Sequence, residues 1–430
     1  MTQHDFKPTL DAFTKGAPSH RLSGNEPVAQ RGWNVLREDM PLPLAVIKRS
    51  VLEANSRWMQ AFMRKLGVQF CPHGKTTMSP QLFARQLADG AWGITCATPQ
   101  QLNVVLAAGA RRALVANQIV GRANIDMLLA AVQGHPAADI HLLADSIEAV
   151  RALASRAREL QVTRPIFVLA ELAARGSRTG CRNIASLVEV ATEVARHHPH
   201  LILAGVEGYE GTIATSDPAA AAHAVTDFAE QLLDAAGELD RRGLFQHVES
   251  IILSAGGSEY FDIIALTLRK ARLSQPAEVV LRSGCYLTHD TLHYSAAFER
   301  IRSRTGEARE GAGLKPALEV WAYVQSRPEP TRAYANMGKR DVSSDWDLPV
   351  AVRWFRPGRD SVPQAVPENV KITALNDQHA HLECPADSPL AIGDMLAFGI
   401  SHPCTTFDKW RTLYLVDDDY TVVDVVQTCF

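Results

Sequence analysis

Val248-Glu249-Ser250-Ile251-Ile252-Leu253-Ser254-Ala255-Gly256-Gly257-Ser258 is an apolar, β-branched run that stops at a glycine pair. Residues 260–271 then return to helical spacing, so the stretch reads as one strand, a tight loop and the start of a helix. The same unit recurs on both sides. Strand-like runs lie at 42–49, 68–72, 92–97, 113–120, 140–144, 166–171, 201–208, 248–254 and 278–282, with helix-length segments between them. In the segment 51–66, Leu52, Trp58, Phe62 and Leu66 fall near one helical face. Strands separated by helices pair in parallel through right-handed crossovers. Eight or nine units over about 250 residues match the size of a (β/α)8 barrel of the α/β class. The alternative for this pattern is a doubly wound open sheet.

Beyond residue 300 the texture changes. A polar, Gly-containing stretch at 302–315 reads as a linker. Short strand-like runs at 317–324, 349–354, 370–375, 395–400 and 413–416 are separated by Pro, Gly and Asp turns. The sequence therefore predicts a barrel over 41–300 and an all-β domain over 301–430. Residues 1–40 fit neither pattern and are expected to dock on the β domain. The 430 residues are 46% hydrophobic and 21% charged, ample for two cores. A formal net charge of −3 gives no electrostatic case for nucleic acid or an anionic membrane. The seven scattered cysteines do not form a disulfide framework. Neither a leader-like N-terminus nor a bilayer-length apolar run is evident, so a cytoplasmic protein acting on small molecules is expected.

Chemistry enters at Cys71-Pro72-His73-Gly74-Lys75-Thr76-Thr77, which ends the second run. Barrel enzymes place reactive groups at the C-terminal ends of strands, and a semi-buried amine there becomes the neutral nucleophile that attacks an aldehyde. The loop Ser254, Gly256, Gly257, Ser258 offers backbone N–H groups and a helix start to a phosphate. Ser283, Gly284 and Cys285, at the end of the next run, add further donors to the same cradle. A lysine facing a phosphate cradle on one barrel mouth suggests pyridoxal 5'-phosphate. Two further loops, 176–180 and 205–211, supply Arg178 to reach the cofactor ring and Tyr209 to pack on it.

A second centre is suggested by His402-Pro403-Cys404. Pro403 biases His402 toward an extended conformation, which would put the His402 and Cys404 side chains on one face. Imidazole plus thiolate favours Zn2+ over Mg2+ or Ca2+.

Pro72-His73-Gly74-Lys75-Thr76, Gly208-Tyr209-Glu210-Gly211 and the stretch 402–411 together resemble the D-serine dehydratase and D-threonine aldolase group. The resemblance runs from about Pro41 to Phe430. It implies an alanine-racemase-type barrel with a C-terminal β domain, and it implies Lys75 as the Schiff-base lysine. It also implies phosphate on the Gly256 and Gly284 loops and a divalent metal on His402 and Cys404. Gly74 and Thr77-Met78 depart from the more usual family residues. Cys404 points to the zinc-dependent dehydratases, whereas an aspartate there would suit Mn2+. The expected reaction removes the β-hydroxyl of D-serine or a related D-3-hydroxy amino acid, giving a keto acid and ammonia. The alternatives are a D-threonine aldolase and a non-catalytic pyridoxal-phosphate carrier. Racemisation would need a second base, for which Tyr323 and Tyr334 have no distinguishing signal. Members of the group are commonly dimers or monomers.

Overall fold

A computed structural model describes residues 10–18, 22, 26–174, 176–213 and 217–430. Parts of the N-terminal segment expected to dock on the β domain (residues 1–9, 19–21 and 23–25) lie outside the described residues.

The first strand, β1 (Leu44–Lys48), joins neither neighbour expected of it. The alternation places it as the opening barrel strand. Instead it runs antiparallel to β10 (Leu318–Glu329), with Leu44 opposite Trp321, and parallel to β16 (Thr412–Val416), with Val46 opposite Tyr414. Leu44, Ala45, Val46 and Ile47 are all buried, which explains why the run is apolar throughout rather than alternating.

The next eight strands form the barrel: β2 (Gln69–Phe70), β3 (Ile94–Cys96), β4 (Arg112–Val115), β5 (Asp139–Ala144), β6 (Ile166–Leu172), β7 (Leu201–Gly208), β8 (Ile251–Ala255) and β9 (Ala277–Leu281). They pair in parallel in the order β2-β9-β8-β7-β6-β5-β4-β3. The β2–β3 seam is held by Trp92 N–H donating to Phe70 O (2.7 Å) and Thr95 N–H to Pro72 O (2.9 Å). Cys71, Leu114, Leu143, Leu169, Ala204, Ile252 and Val280 fill the barrel interior. The intervening helices bury their apolar faces on its outside, as Leu52, Met59, Phe62 and Leu66 do on helix Arg49–Leu66.

The remaining strands are β11 (Arg332–Ala335), β12 (Val350–Phe355), β13 (Lys371–Leu375), β14 (Ala380–Glu383), β15 (Met395–Gly399) and β17 (Val422–Gln427). With β1, β10 and β16 they build a nine-stranded sheet. Its core includes Trp321, Phe355, Met395, Tyr414 and Tyr420, joined by Trp33, Val35 and Met40 from the N-terminal segment. Lys15 bonds Asp341 at 2.6 Å and stands 3.6 Å over the Trp410 ring. No helix of the described residues is long and apolar enough to cross a membrane.

Two buried histidines give the fold an acid limit. Burial pushes both His141, inside the barrel, and His289, behind β9, down to about 4. Unfolded, each takes up a proton near pH 6.5; folded, each resists until about pH 4. Between those values the unfolded chain binds more protons, so stability falls as pH drops through that interval. Each histidine accounts for about 3 kcal/mol at most. Thermal melts from pH 7.5 down to 4.5 should show Tm falling steeply below about pH 6.5. A Tm that stays level across that range would refute this account.

Candidate active site

The C-terminal ends of the barrel strands converge on one cavity of about 360 Å3, roofed by the β domain. Its lining includes His73, Lys75, Thr76, Tyr209, Gly257, Ser258, Arg282, Gly284, Cys285, Tyr294, Trp346, His402 and Cys404. This is the functional end of a barrel, and the volume suits a cofactor with a small substrate.

Lys75 sits in a single 3-10 turn, Gly74–Thr76, begun by His73, whose Nδ1 accepts the Lys75 N–H at 3.5 Å. The turn lifts the lysine side chain into the cavity mouth, so it is exposed rather than semi-buried as the sequence suggested. Burial, and then the charges of Lys75, Arg282 and Arg178, holds His73 neutral.

The phosphate-cradle residues divide into two groups. Gly257, Ser258, Gly284 and Cys285 line the cavity, whereas Ser254, Gly256 and Ser283 do not. The Ser254 hydroxyl is buried and donates to Val280 O at 3.0 Å. The loop turns at Gly256, whose φ of +90° suits glycine. Gly256 N–H donates to Glu210 Oε2 at 3.0 Å, and Gly257 N–H also donates to the Glu210 carboxylate. Ser283 Oγ ties the two loops together by donating to Gly256 O (3.1 Å) and Gly257 O (3.0 Å). At Gly284 the approach is close: a Cβ would lie 2.5 Å from His73 O and 2.6 Å from Thr76 Oγ1. Gly284→Ala must therefore push the lysine turn away from the cradle. We expect about 1–3 kcal/mol of overpacking, read as a five- to hundredfold weaker Kd for pyridoxal phosphate. Unchanged affinity in a folded variant would count against a cradle at this loop.

Arg178 is exposed, 5.3 Å above the Tyr209 ring, and does not line the cavity floor. The arginine that does is Arg282, buried beneath the cavity and paired with Glu207, with Nη2 donating to Gly208 O at 2.9 Å. Burial pushes Glu207 up to about 8, despite the pull of Arg282. Burial also raises Glu171 and Glu210. Arg282 Nε and Glu207 Oε2 are buried with no partner in the structure. Unpaired buried polar atoms beside a glycine-walled cradle fit a site built for a polar cofactor. Glu207 and Glu210 had a signal in the sequence, since two acids in a Gly-rich strand end are out of place in a barrel wall. Tyr294 and Trp346 had none.

His402 and Cys404 both line the cavity, but not on an extended segment. Pro403 adopts φ −59°, ψ −45° and caps a helical turn, Cys404–Phe407. Proline's fixed φ pre-organises helix starts as readily as extended chain, and here it does the former. His402 Nδ1 bonds Asp345 Oδ2 at 2.6 Å, and its ring stacks on Trp346 at 3.8 Å. Cys404 Sγ lies 3.4 Å from Thr76 Oγ1 and 3.8 Å from Cys285 Sγ. Hydrogen bonding from Cys285, then from His402 and Thr76, holds the Cys404 thiol well below the usual range. Cys285, the donor of that pair, is raised. Burial alone would lower His402, but Cys404 and Asp345 outweigh it and its net shift is upward. Among the described residues, no three His, Cys, Asp or Glu side chains form a ready-made metal cage. Tyr323 and Tyr334 lie elsewhere: Tyr323 OH donates to Glu38 at 2.8 Å, and Tyr334 packs on His381.

Fold and site together define a barrel with a lysine and two glycine loops facing one cavity at the C-terminal ends of its strands. Residues 47–267 match the alanine racemase N-terminal domain family and residues 317–416 the putative serine dehydratase domain family. Over 404 residues the chain is 26% identical to a D-threonine aldolase of Arthrobacter sp, covering 91% of this chain and 93% of that one. Over 256 residues it is 27% identical to the D-threo-3-hydroxyaspartate dehydratase of Delftia sp., covering 58% and 61% of the two chains. The crystal structure of a D-threonine aldolase from Filomicrobium marinum superposes with a TM-score of 0.74 at 22% identity, covering 92% of this chain and 97% of that one. The chain belongs to the alanine-racemase-like, fold-type III pyridoxal-phosphate enzymes, in the D-serine dehydratase and D-threonine aldolase group. It is a pyridoxal-phosphate lyase.

Proposed function

We propose that the enzyme removes the β-hydroxyl of D-serine or a related D-3-hydroxy amino acid, releasing a keto acid and ammonia. One observation carries this reading. Cys404 Sγ lies 3.4 Å from the hydroxyl of Thr76, the residue next to Lys75, so amine and thiol face the same small volume. Proton removal at Cα and departure of an oxygen at Cβ need groups on adjacent atoms of one substrate, which is what this arrangement offers.

In this reading the barrel carries the cofactor and the β domain carries the metal. Pyridoxal phosphate, bound through Lys75 and cradled by Gly257, Ser258, Gly284 and Cys285, supplies an electron sink for negative charge at Cα. His402 and Cys404 would hold a zinc ion, whose Lewis acidity would then be available to the substrate, and the thiolate favours zinc over Mn2+. Lys75 Nζ takes the α-proton. Neutral His73 caps the lysine turn without adding a competing positive charge. Arg282, fixed by Glu207 and Gly208, keeps a positive charge at the cavity wall. Ser283 keeps the two cradle loops at a constant distance. Asp345 holds one nitrogen of His402 and so orients the imidazole. Tyr209 lines the cavity, and Arg178 stands over its ring, where it would steady the tyrosine against the cofactor.

The second reading is retro-aldol cleavage of a D-3-hydroxy amino acid to glycine and an aldehyde. Similarity to a D-threonine aldolase along 91% of the chain favours it. Both reactions would draw on the same residues; they differ in which bond at Cβ breaks. Incubation with D-serine, D-threonine and D-threo-3-hydroxyaspartate, with keto acid and glycine assayed side by side, decides between them. Keto acid and ammonia in equal amounts are expected, and glycine as the main product would establish the aldolase instead. Bound cofactor with no turnover of any of the three would point to a carrier.

A further inference from the structure

We propose that Cys285 is a second thiolate ligand of the metal, so that the site is Cys285, His402 and Cys404 with one open position. This rests on the metal-assisted reading above. The two sulfurs come from distant parts of the chain, the loop after β9 and the helical turn after Pro403, yet they stand 3.8 Å apart. Two thiolates on one tetrahedral zinc, each about 2.3 Å from the metal, are separated by about 3.8 Å. The spacing is thus that of a zinc bite. It is too long for a disulfide, whose sulfurs lie about 2 Å apart.

Besides Cys404, the Cys285 sulfur meets hydroxyls among the described residues, those of Thr76 and Tyr294. Its backbone N–H is bonded to Ser258 Oγ at 3.4 Å, while its side chain faces Cys404 across the cavity. The other buried cysteines differ: Cys71 belongs to the barrel interior, Cys96 and Cys181 pack in the large hydrophobic core, and Cys384 Sγ donates to Pro330 O at 3.7 Å. Thr76 Oγ1 stands 3.4 Å from Cys404 Sγ and 3.8 Å from Cys285 Sγ, placed to donate to a thiolate pair. His402, its Nδ1 bonded to Asp345, keeps Nε2 for a metal, the usual way in which a carboxylate orients a ligating imidazole. The sulfurs are the preset part, and the imidazole completes the set on binding. Three protein ligands plus one open position is the make-up of a catalytic zinc rather than a structural one. A second thiolate also strengthens the preference for zinc over manganese or magnesium.

The proposal makes Cys285 bifunctional, with its backbone in the phosphate cradle and its sulfur on the metal. Motion of this one loop would then change both cofactor and metal affinity.

The test counts sulfurs. Zinc K-edge X-ray absorption on the cofactor-loaded enzyme should give two sulfur neighbours at about 2.3 Å, falling to one in Cys285→Ser. Competition with a chromophoric chelator should show zinc bound at least about tenfold more weakly in that variant. Retention of the cofactor's visible absorbance reports that the variant is folded; if it does not fold, the wild-type sulfur count still decides. One sulfur in the wild type, or a count and affinity unchanged in Cys285→Ser, overturns this ligand while leaving the proposed function standing. No stoichiometric zinc in the wild type overturns both.

Discussion

Lys75→Ala is expected to abolish the visible absorbance of the bound cofactor and to lower kcat by at least about 10³–10⁴-fold. The size follows from the two tasks given to one amine. In the proposed reaction Lys75 would anchor the cofactor covalently and, once freed, take the α-proton; among the described residues no other lysine lines the cavity. His73 is the nearest titratable side chain in sequence, but burial holds it neutral and its Nδ1 accepts the Lys75 N–H. It cannot take over as an amine. Arginine at this position would keep a positive charge but not the chemistry, because guanidinium does not lose its proton at working pH. Lys75→Arg should therefore be as inactive as Lys75→Ala. If Lys75→Ala retains the absorbance band and even a hundredth of the activity, the cofactor is held elsewhere and the assignment of this loop fails.

Cys404→Ala and His402→Ala come next in effect. Each should strip zinc from the purified enzyme and lower kcat by about 10²–10³-fold, leaving the visible absorbance in place. The separation is the point of the prediction, since these residues belong to the β domain whereas the cradle glycines belong to the barrel. Removing zinc from the wild type with a chelator should match the variants, and added zinc should restore the wild type alone. Asp345→Asn gives a graded version. It keeps the shape beside His402 Nδ1 but removes the charge, so zinc affinity should drop by about tenfold while kcat in saturating zinc recovers. Full activity of metal-free Cys404→Ala would remove the metal from the reaction altogether.

The barrel was legible because its physics is local. A strand, a glycine loop and an amphipathic helix each leave a mark within about 30 residues, and β8 with its Gly256 turn shows all three. The seventh and eighth barrel strands therefore fell where the pattern placed them, within a few residues of 248–254 and 278–282. β1 was misassigned because its mark is the same as a barrel strand's. Four consecutive buried residues at Leu44–Ile47 reveal that both faces are covered, but not by what. Pairing with β10 and β16 spans more than 270 positions, and no window of sequence reports it.

The site divides along the same line. Lys75, Gly257, Gly284 and His402-X-Cys404 could be found because each sits in a motif. Arg282 was harder: Glu207 stands out as an acid in a Gly-rich strand end, but its buried pairing with Arg282 joins residues 75 positions apart. Ser254 misled because a serine before a glycine pair is as good a strand terminus as it is a phosphate donor. Here its hydroxyl closes a strand-to-strand bond. The contact between Cys285 and Cys404 lies furthest out of reach, being made only when two domains meet.

β1 also sets a rule for anyone dividing this protein. A cut after residue 300 would seem to release a free barrel. Instead it would leave an apolar ribbon of four buried residues at the head of the fragment, stripped of both partners and open to edge-to-edge aggregation. The complementary piece would lack a strand from the middle of its sheet. A workable split moves the break to the junction between β1 and helix Arg49–Leu66 and rejoins the old termini, a circular permutation that hands the ribbon to the sheet that uses it. During synthesis the same wiring keeps the first strand waiting for β10 and then β16, so the sheet that roofs the cavity closes only after the whole barrel has been made.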